Sequence, residues 1–428
     1  MGQFFRNRWW IVFASICGLL VGAGPVNVFA FGVFLKPVTQ DLGVGREFFS
    51  SGLILTSFLS AIGLIPLGFL IDRYGVRRVM IPGLILWSLG IMGYSLISAQ
   101  PAMMYLAFAL PGIFGCIGSP VPYGAAISLW FDKLRGVAIG IAMAGVGLGV
   151  ALVPQLASAL IAHFGWRTAY IALGAAVFLI SWLPVALFVR EPTEHDAMKH
   201  TDITAERNLP GFSVGGALGS WRFWALTVAF FLAIVAINGT LTHMVALLTD
   251  RGVPLPLALR TLSIAGLSLI VGRIISGWCL DRFHGTVVAI CFFIVPMAGI
   301  ALLASRAGGA VPLLGAGLCG IGVGAEVDLM AFFVSRYFGL KAYGRIYGLM
   351  FAVFTFANGI GPSIAGWSFD KYHSYGPAFM IFEGMWSSPA YCSRPWAAIP
   401  IRCAARPSWA RRSRRRSSRR AAGIVIAG

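Results

Sequence analysis

Charge is what this 428-residue chain has least of. Only 11% of its residues are charged, and acids are scarcest, with 15 Asp and Glu against 33 Lys and Arg. A soluble fold of this length needs far more charge to cover its surface, which excludes an ordinary water-soluble enzyme. Six His and no C-x-x-C pair provide no zinc-type ligand set. The seven Cys fall at 17, 116, 279, 291, 319, 392 and 403, and five of them sit in apolar runs, where a thiol acts as a small buried hydrophobe. There is no Walker loop and no nucleophile elbow. Gly320, Gly322 and Gly324 lie inside an apolar run, so they do not cradle phosphate. The chain asks for no metal, no cofactor and no nucleic acid.

What is abundant is apolar. The chain is 58% hydrophobic, its mean hydropathy is +0.82, and 53 residues are Gly. Long apolar runs fall near 9–35, 49–71, 79–98, 103–129, 136–162, 168–189, 222–248, 257–280, 286–304, 310–336 and 344–369. Each approaches or exceeds the roughly 20 residues a helix needs to cross about 30 Å of hydrocarbon. The first run lacks a small-residue cleavage site and reads as a true span. This predicts an all-α, multi-pass membrane protein. The polar stretch 190–221 separates residues 1–189, a six-helix bundle, from a second bundle over 222–385. Lys and Arg collect on one side, fifteen near the N-terminus and central loop against seven opposite. That asymmetry places the N-terminus and the loop 190–221 in the cytoplasm.

The two bundles repeat. Gly68-Phe-Leu-Ile-Asp72-Arg73 ends one apolar run, and Gly277-Trp-Cys-Leu-Asp281-Arg282 ends another 209 residues later (277 − 68). Trp130-Phe131 with Gly136 and Gly140 matches Tyr337-Phe338 with Gly344 and Gly348 at nearly the same offset. Matched features at one spacing mark an internal duplication. Duplicated halves suit alternating access to a site between them.

The C-terminal end breaks the pattern. A twelfth span begins at Ala378–Phe382, then Pro389, Arg394, Pro395 and Pro400 interrupt it. Residues 386–428 become Arg-rich, and no acid follows Glu383. We read this tail as the product of a frame error after about Met385, with a lipid-binding basic arm as the other reading. Ten of the +18 net charges lie between Arg394 and Arg420, leaving an ordinary positive-inside surplus for the bundle.

Gly68-x-x-x-Asp72-Arg73-x-Gly75-x-Arg77-Arg78 resembles the signature of the major facilitator superfamily, and the copy ending in Asp281 and Arg282 resembles its truncated repeat. The resemblance covers about residues 9–382. It implies two six-helix halves, the twelfth helix being the one the tail disrupts, and gating roles for Gly68, Asp72, Arg73, Arg77, Arg78, Asp281 and Arg282. Trp130 through Gly145 resembles the fifth-helix signature of the monocarboxylate transporters. Gly272-Arg273-Ile-Ile-Ser276-Gly277 is similar to the eighth helix of that group and of the oxalate/formate antiporters, where an Arg holds the substrate carboxylate. Leu269 stands where the monocarboxylate group has an acid, and neither the first nor the eleventh run carries an internal Lys.

Depth follows from helix rise alone. Arg273 lies eight residues inside Asp281, roughly 12 Å at 1.5 Å per residue. An Arg near the midplane costs about 2.5–3.5 kcal/mol on insertion scales, so it needs a partner or an aqueous cavity. Its guanidinium suits a carboxylate. Glu326 and Asp328 lie at a similar depth before Tyr337. Two residues apart, they point to different faces, so one of them at most meets Arg273 well. Buried carboxylates favour the neutral form and serve as proton carriers. Tyr123, Asn27 and Asn358 are candidate substrate contacts, and His243 is a further proton-site candidate.

The expected function is a secondary carrier of small organic anions. A carboxylate substrate would meet protons or a counter-anion, in a monomer within the lipid bilayer of a bacterial inner membrane. The other readings are a facilitator-type multidrug or metabolite exporter, or a transport-inactive membrane sensor.

Overall fold

The computed structural model describes residues 7–131, 134–191, 211–305, 307–339 and 341–386. The expected frame error, the interruption of the twelfth span and most of the central loop lie outside these residues. Among the described residues, ten helical stretches are long and apolar enough to cross a membrane. One of them, Arg135–Phe188, runs 54 residues and holds two spans. It turns sharply at Gly165, whose φ of 77° falls where a side chain is disfavoured. The only strand-like pairing among the described residues is an isolated bridge between Gly211 and Gly339.

In chain order the helices are α1 (Trp9–Leu20), α2 (Phe31–Leu42), α3 (Arg46–Tyr74), α4 (Val76–Gly93), α5 (Pro101–Gly115), α6 (Pro120–Ser128), α7 (Arg135–Val177), α8 (Leu183–Phe188), α9 (Val214–Leu218), α10 (Trp221–Asp250), α11 (Leu255–Arg282), α12 (Gly285–Ala304), α13 (Val311–Phe338), α14 (Tyr343–Tyr372) and α15 (Gly376–Trp386). Two spans expected to be continuous are broken. The first is interrupted between α1 and α2 by a six-residue π-helical turn, Gly24–Phe29, that opens on Gly24-Pro25. The fourth is interrupted between α5 and α6, where Ser119 caps the new helix by accepting from the Val121 N–H. The breaks meet: the Ala23 N–H donates to the Gly118 carbonyl at 3.0 Å. Irregular backbone survives at membrane depth only where protein or a cavity satisfies it, and here each break helps satisfy the other.

The repeat places equivalent helices at the contact between halves. Arg46 and Leu255 start α3 and α11 209 residues apart (255 − 46), and Arg135 and Tyr343 start α7 and α14 208 apart (343 − 135). α3 packs on α14, and α7 packs on α11. Each contact therefore joins one member of each repeated pair. Small residues bring α7 and α11 close, since a Cβ at Gly266 would strike the backbone of Gly147 and Val150.

The two ends of the bundle differ. At the Arg46 end the halves are locked. A Cβ added to Gly32, Gly359 or Gly366 would collide with the backbone of Thr242, Leu53 or Arg46 in the opposite half. At the Asp72 end they are splayed. A Cβ on Gly68, Gly136, Gly140, Gly277, Gly344 or Gly348 would meet nothing within 4 Å. In this conformation the faces of Gly68, Gly136 and Gly140 look into open space. Gly145, from the same motif, does pack closely, against the Ile16 backbone.

Candidate functional site

A cavity of about 160 Å³ lies between the halves. Both helix breaks line it, the first from Gly22 to Pro25 and at Asn27, the second at Gly115 and from Gly118 to Pro120. Its wall is mostly apolar, with Asn27, Asn238 and Asn358 among the polar groups. Arg273 is the one charged side chain among the described residues that line it. The guanidinium turns inward, with its side chain 13% exposed, while the next residue, Ile274, is 68% exposed on the outer wall. Leu269, one turn away, also lines the cavity, so no acid neutralises Arg273 from that position.

The partner comes from α13. Arg273 Nη1 donates to Asp328 Oδ1 at 3.3 Å, and Arg273 Nε is buried with no partner among the described residues. The residue stripe explains the choice between the two acids. A Cβ at Gly320 would touch Ala265, and one at Gly324 would touch Leu269 and Arg273. Asp328 is the next residue on that stripe, since positions four apart share a helix face. Glu326 belongs to another face, with Gly322 and Cys319, which meet Pro296 of α12. It is 2% exposed, and neither of its oxygens has a partner among the described residues. The structure thus brings Asp328, not Glu326, to Arg273.

Two other candidates stand away from the cavity lining. Tyr123 is completely buried, with its hydroxyl 3.0 Å from Ser181 Oγ. Its ring fills the space beside Gly18, so the substrate contact expected of it is not available in this conformation. His243 bridges the halves, with Nε2 3.2 Å from Ser50 Oγ and Nδ1 3.3 Å from the Tyr375 hydroxyl.

That bridge belongs to a cluster at the Arg46 end which the sequence reading missed. Asp250 Oδ2 accepts from Arg46 Nη1 at 2.6 Å and Oδ1 from Nη2 at 3.2 Å. Lys36 Nζ reaches Asp250 Oδ1 at 2.6 Å. Asp370 accepts from the backbone N–H groups of Arg46 and Glu47 at 2.9 and 2.7 Å, capping α3 from the opposite half. The Arg46 guanidinium also lies 3.5 Å from the centre of the Phe369 ring. Lys36 and Arg46 are two of the seven basic residues on the side opposite the central loop. On the surface of this end, Asp41 accepts from Arg167 at 2.7 Å and Trp166 at 3.0 Å, and the bond from Arg167 leads in holding its carboxyl below the usual range.

At the other end, the residues expected to gate form no latch among the described residues. Among the described residues neither Asp72 nor Asp281 forms an ion pair. Arg77 donates to the Ala186 carbonyl at 3.0 Å, Arg73 lies over Tyr74, and Arg282 lies over Trp278. Gly75 has φ 87°, and a side chain there would overlap the Glu191 carboxylate. Arg78 is exposed.

The pattern for the Major Facilitator Superfamily matches residues 4–362. The chain belongs to the Major Facilitator Superfamily. Within this superfamily it is similar to monocarboxylate transporter 13 of Bos taurus, 28% identical over 290 residues covering 68% of this chain and 64% of that protein. It is also similar to the oxalate:formate antiporter of Oxalobacter formigenes, 26% identical over 228 residues covering 53% and 52%. The chain thus spans just under two thirds and about half of these relatives' lengths. The crystal structure of a point mutant of the nucleoside transporter NupG shares the fold, with a TM-score of 0.71 at 11% identity, covering 91% of this chain and 99% of that one. The expected resemblance and the all-α, two-half facilitator fold therefore hold. This facilitator is a multi-pass membrane transporter.

Proposed function

We propose that this facilitator carries small organic carboxylates by alternating access, with proton coupling or anion exchange. The observation that carries the reading is Arg273: a single cation facing a cavity between the halves, held by one long bond to Asp328. Charge-assisted N–H···O bonds are usually about 2.7–2.9 Å, so the 3.3 Å contact leaves the guanidinium open to a better-placed carboxylate. The similarity to monocarboxylate and oxalate:formate carriers supports this choice of substrate.

In this mechanism the incoming carboxylate takes Arg273 and releases Asp328. An unpaired charge at that depth is costly, so Asp328 takes up a proton and returns it when the substrate leaves. With the N-terminus cytoplasmic, as the Lys/Arg asymmetry implies, the splayed Asp72 end faces the cytoplasm. The cluster around Arg46 and Asp250 then closes the outer face. Closure at the Asp72 end would bring Asp72, Arg73, Arg77 and Arg78 together with the second copy at Asp281 and Arg282, and the outer cluster would part. The setting we propose is a bacterial inner membrane, with the monomer as the working unit.

Thermal unfolding of the purified carrier tests the substrate class. Each acid in a set of mono-, di- and aromatic carboxylates is compared with its own neutral amide. A ligand bound only by the folded state stabilises by about 2.7 kcal/mol at a hundred times its Kd. At least one acid should raise Tm while its amide does not. Equal shifts from acids and amides, or shifts from cationic amphiphiles alone, would favour the exporter reading instead.

A further inference from the structure

The cavity is polar at two levels and apolar between them. On α11, Arg273 lies nine residues in from Arg282 (282 − 273), about 13 Å deep at 1.5 Å per residue. On α14, Phe351 and Phe354 lie eight and eleven residues in from Tyr343, about 12 and 16 Å. Asn358 is fifteen residues in on the same helix, and Asn238 seventeen residues in from Trp221 on α10, about 22 and 25 Å. The asparagines thus stand roughly 10 Å beyond the cation, with Phe351 level with the cation and Phe354 in the intervening depth. Those rings are stacked, 5.5 Å between centres, and continue a ladder from Tyr343 through Tyr347.

The asparagines are oriented by their own bonds. Asn358 Nδ2 donates to the Phe354 and Thr355 carbonyls, both at 3.3 Å. Its Oδ1 is therefore the atom left to accept from Asn238 Nδ2, at 2.5 Å. That donation points Asn238 Oδ1 the other way, where it is buried without a partner among the described residues. Asn27 Oδ1, on the π-helical turn of the other half, is also buried and unpartnered. Both residues line the cavity and are 4–5% exposed. Two orphaned acceptors on residues that line one cavity call for a donor, because an unmet buried acceptor is costly.

Resting on the carboxylate reading above, we infer that the substrate is an elongated monocarboxylate with a flat apolar body and a hydrogen-bond donor at its far end. Its carboxylate meets Arg273, its body lies along Phe351 and Phe354, and its hydroxyl or N–H reaches Asn238 Oδ1 and Asn27 Oδ1. A two-carbon diacid is too short to touch both levels. A long diacid would place its second charge against acceptors, with no cation beside it.

Calorimetric titration of the purified full-length carrier tests this with five probes. They are 3-(4-hydroxyphenyl)propionate, its 4-methoxy counterpart, 3-phenylpropionate, acetate and the uncharged 2-(4-hydroxyphenyl)ethanol. The hydroxy acid should bind about tenfold tighter than the methoxy acid, the penalty of one unmet buried hydrogen bond, and far tighter than acetate. In Asn238→Leu, which leaves only Asn27 as acceptor, that preference should shrink while the affinity for 3-phenylpropionate stays within about twofold. Asn27→Ala is the second variant should Asn238→Leu fail to fold. Equal binding of hydroxy and methoxy acids by the wild type, or acetate binding as tightly as the aryl acids, overturns the inference and leaves the carboxylate reading standing. Binding of 2-(4-hydroxyphenyl)ethanol with no binding of any acid overturns both.

Discussion

Asp250→Asn should open the Arg46 end of the carrier. The wild-type carboxylate holds two cations of the opposite half, Lys36 at 2.6 Å and Arg46 through both of its oxygens. A neutral amide leaves those cations beside each other without a counter-charge. Removing one partner from a buried pair costs about 3–5 kcal/mol. The side chains here are 11–27% exposed, so screening reduces this to about 2 kcal/mol. That difference moves a two-state equilibrium roughly thirtyfold. Spin labels at Gln40 and Leu255, introduced in a cysteine-free background, report it. Their distance distribution should gain a longer population in Asp250→Asn. An unchanged distribution would mean that the cluster does not hold the end shut. His243 lies in the same junction, bonded to Ser50 and Tyr375, so His243→Ala should move the distribution the same way by a smaller amount.

Arg273→Ala should lower carboxylate affinity by about a hundredfold or more, because a charged hydrogen-bonded pair lost from a buried site costs about 2–5 kcal/mol. Arg273→Lys should recover little. A lysine restores the charge but not the planar fork that takes two carboxylate oxygens at once. Calorimetric titration of the best acid from the thermal screen, against wild type and both variants, measures the ratio. Asp328→Asn should behave differently. It removes the resting partner of Arg273 and should preserve or raise affinity, while the pH dependence of uptake flattens. The same flattening in Glu326→Gln, with Asp328→Asn unaffected, would transfer the proton role to Glu326.

The repeats carried most of the fold into view. Copies of G-x-x-x-D-R at one offset, with matched aromatic and glycine positions, identified which helices are equivalent, and those helices proved to form the contact between halves. Arg273 was legible because a lone cation at that depth has few physical reasons to exist. Glu326 and Asp328 were legible as a pair facing two ways, and the glycine stripe at 320 and 324 decided between them. Other features were hidden because their causes are non-local. The break after α1 had a visible Gly24-Pro25 signal, but its backbone is satisfied by Gly118, far along the chain. Tyr123 was a candidate substrate contact, yet position along a helix does not give rotation, and its side chain turns toward Ser181. The closed end assembles Lys36, Arg46, Asp250, Asp370 and Tyr375 from separate chain segments. Singly, each reads as a charge or a ring at a span terminus. The orphaned asparagine oxygens become visible only when every neighbouring donor has been assigned.

The central claim is that Arg273 takes a carboxylate during transport. Uptake of a radiolabelled monocarboxylate into proteoliposomes, measured side by side for wild type, Arg273→Ala and Arg273→Lys, tests it most directly. Saturable uptake is expected from the wild type, none above protein-free liposomes from the alanine variant, and little from the lysine variant. Full uptake by Arg273→Ala would contradict it.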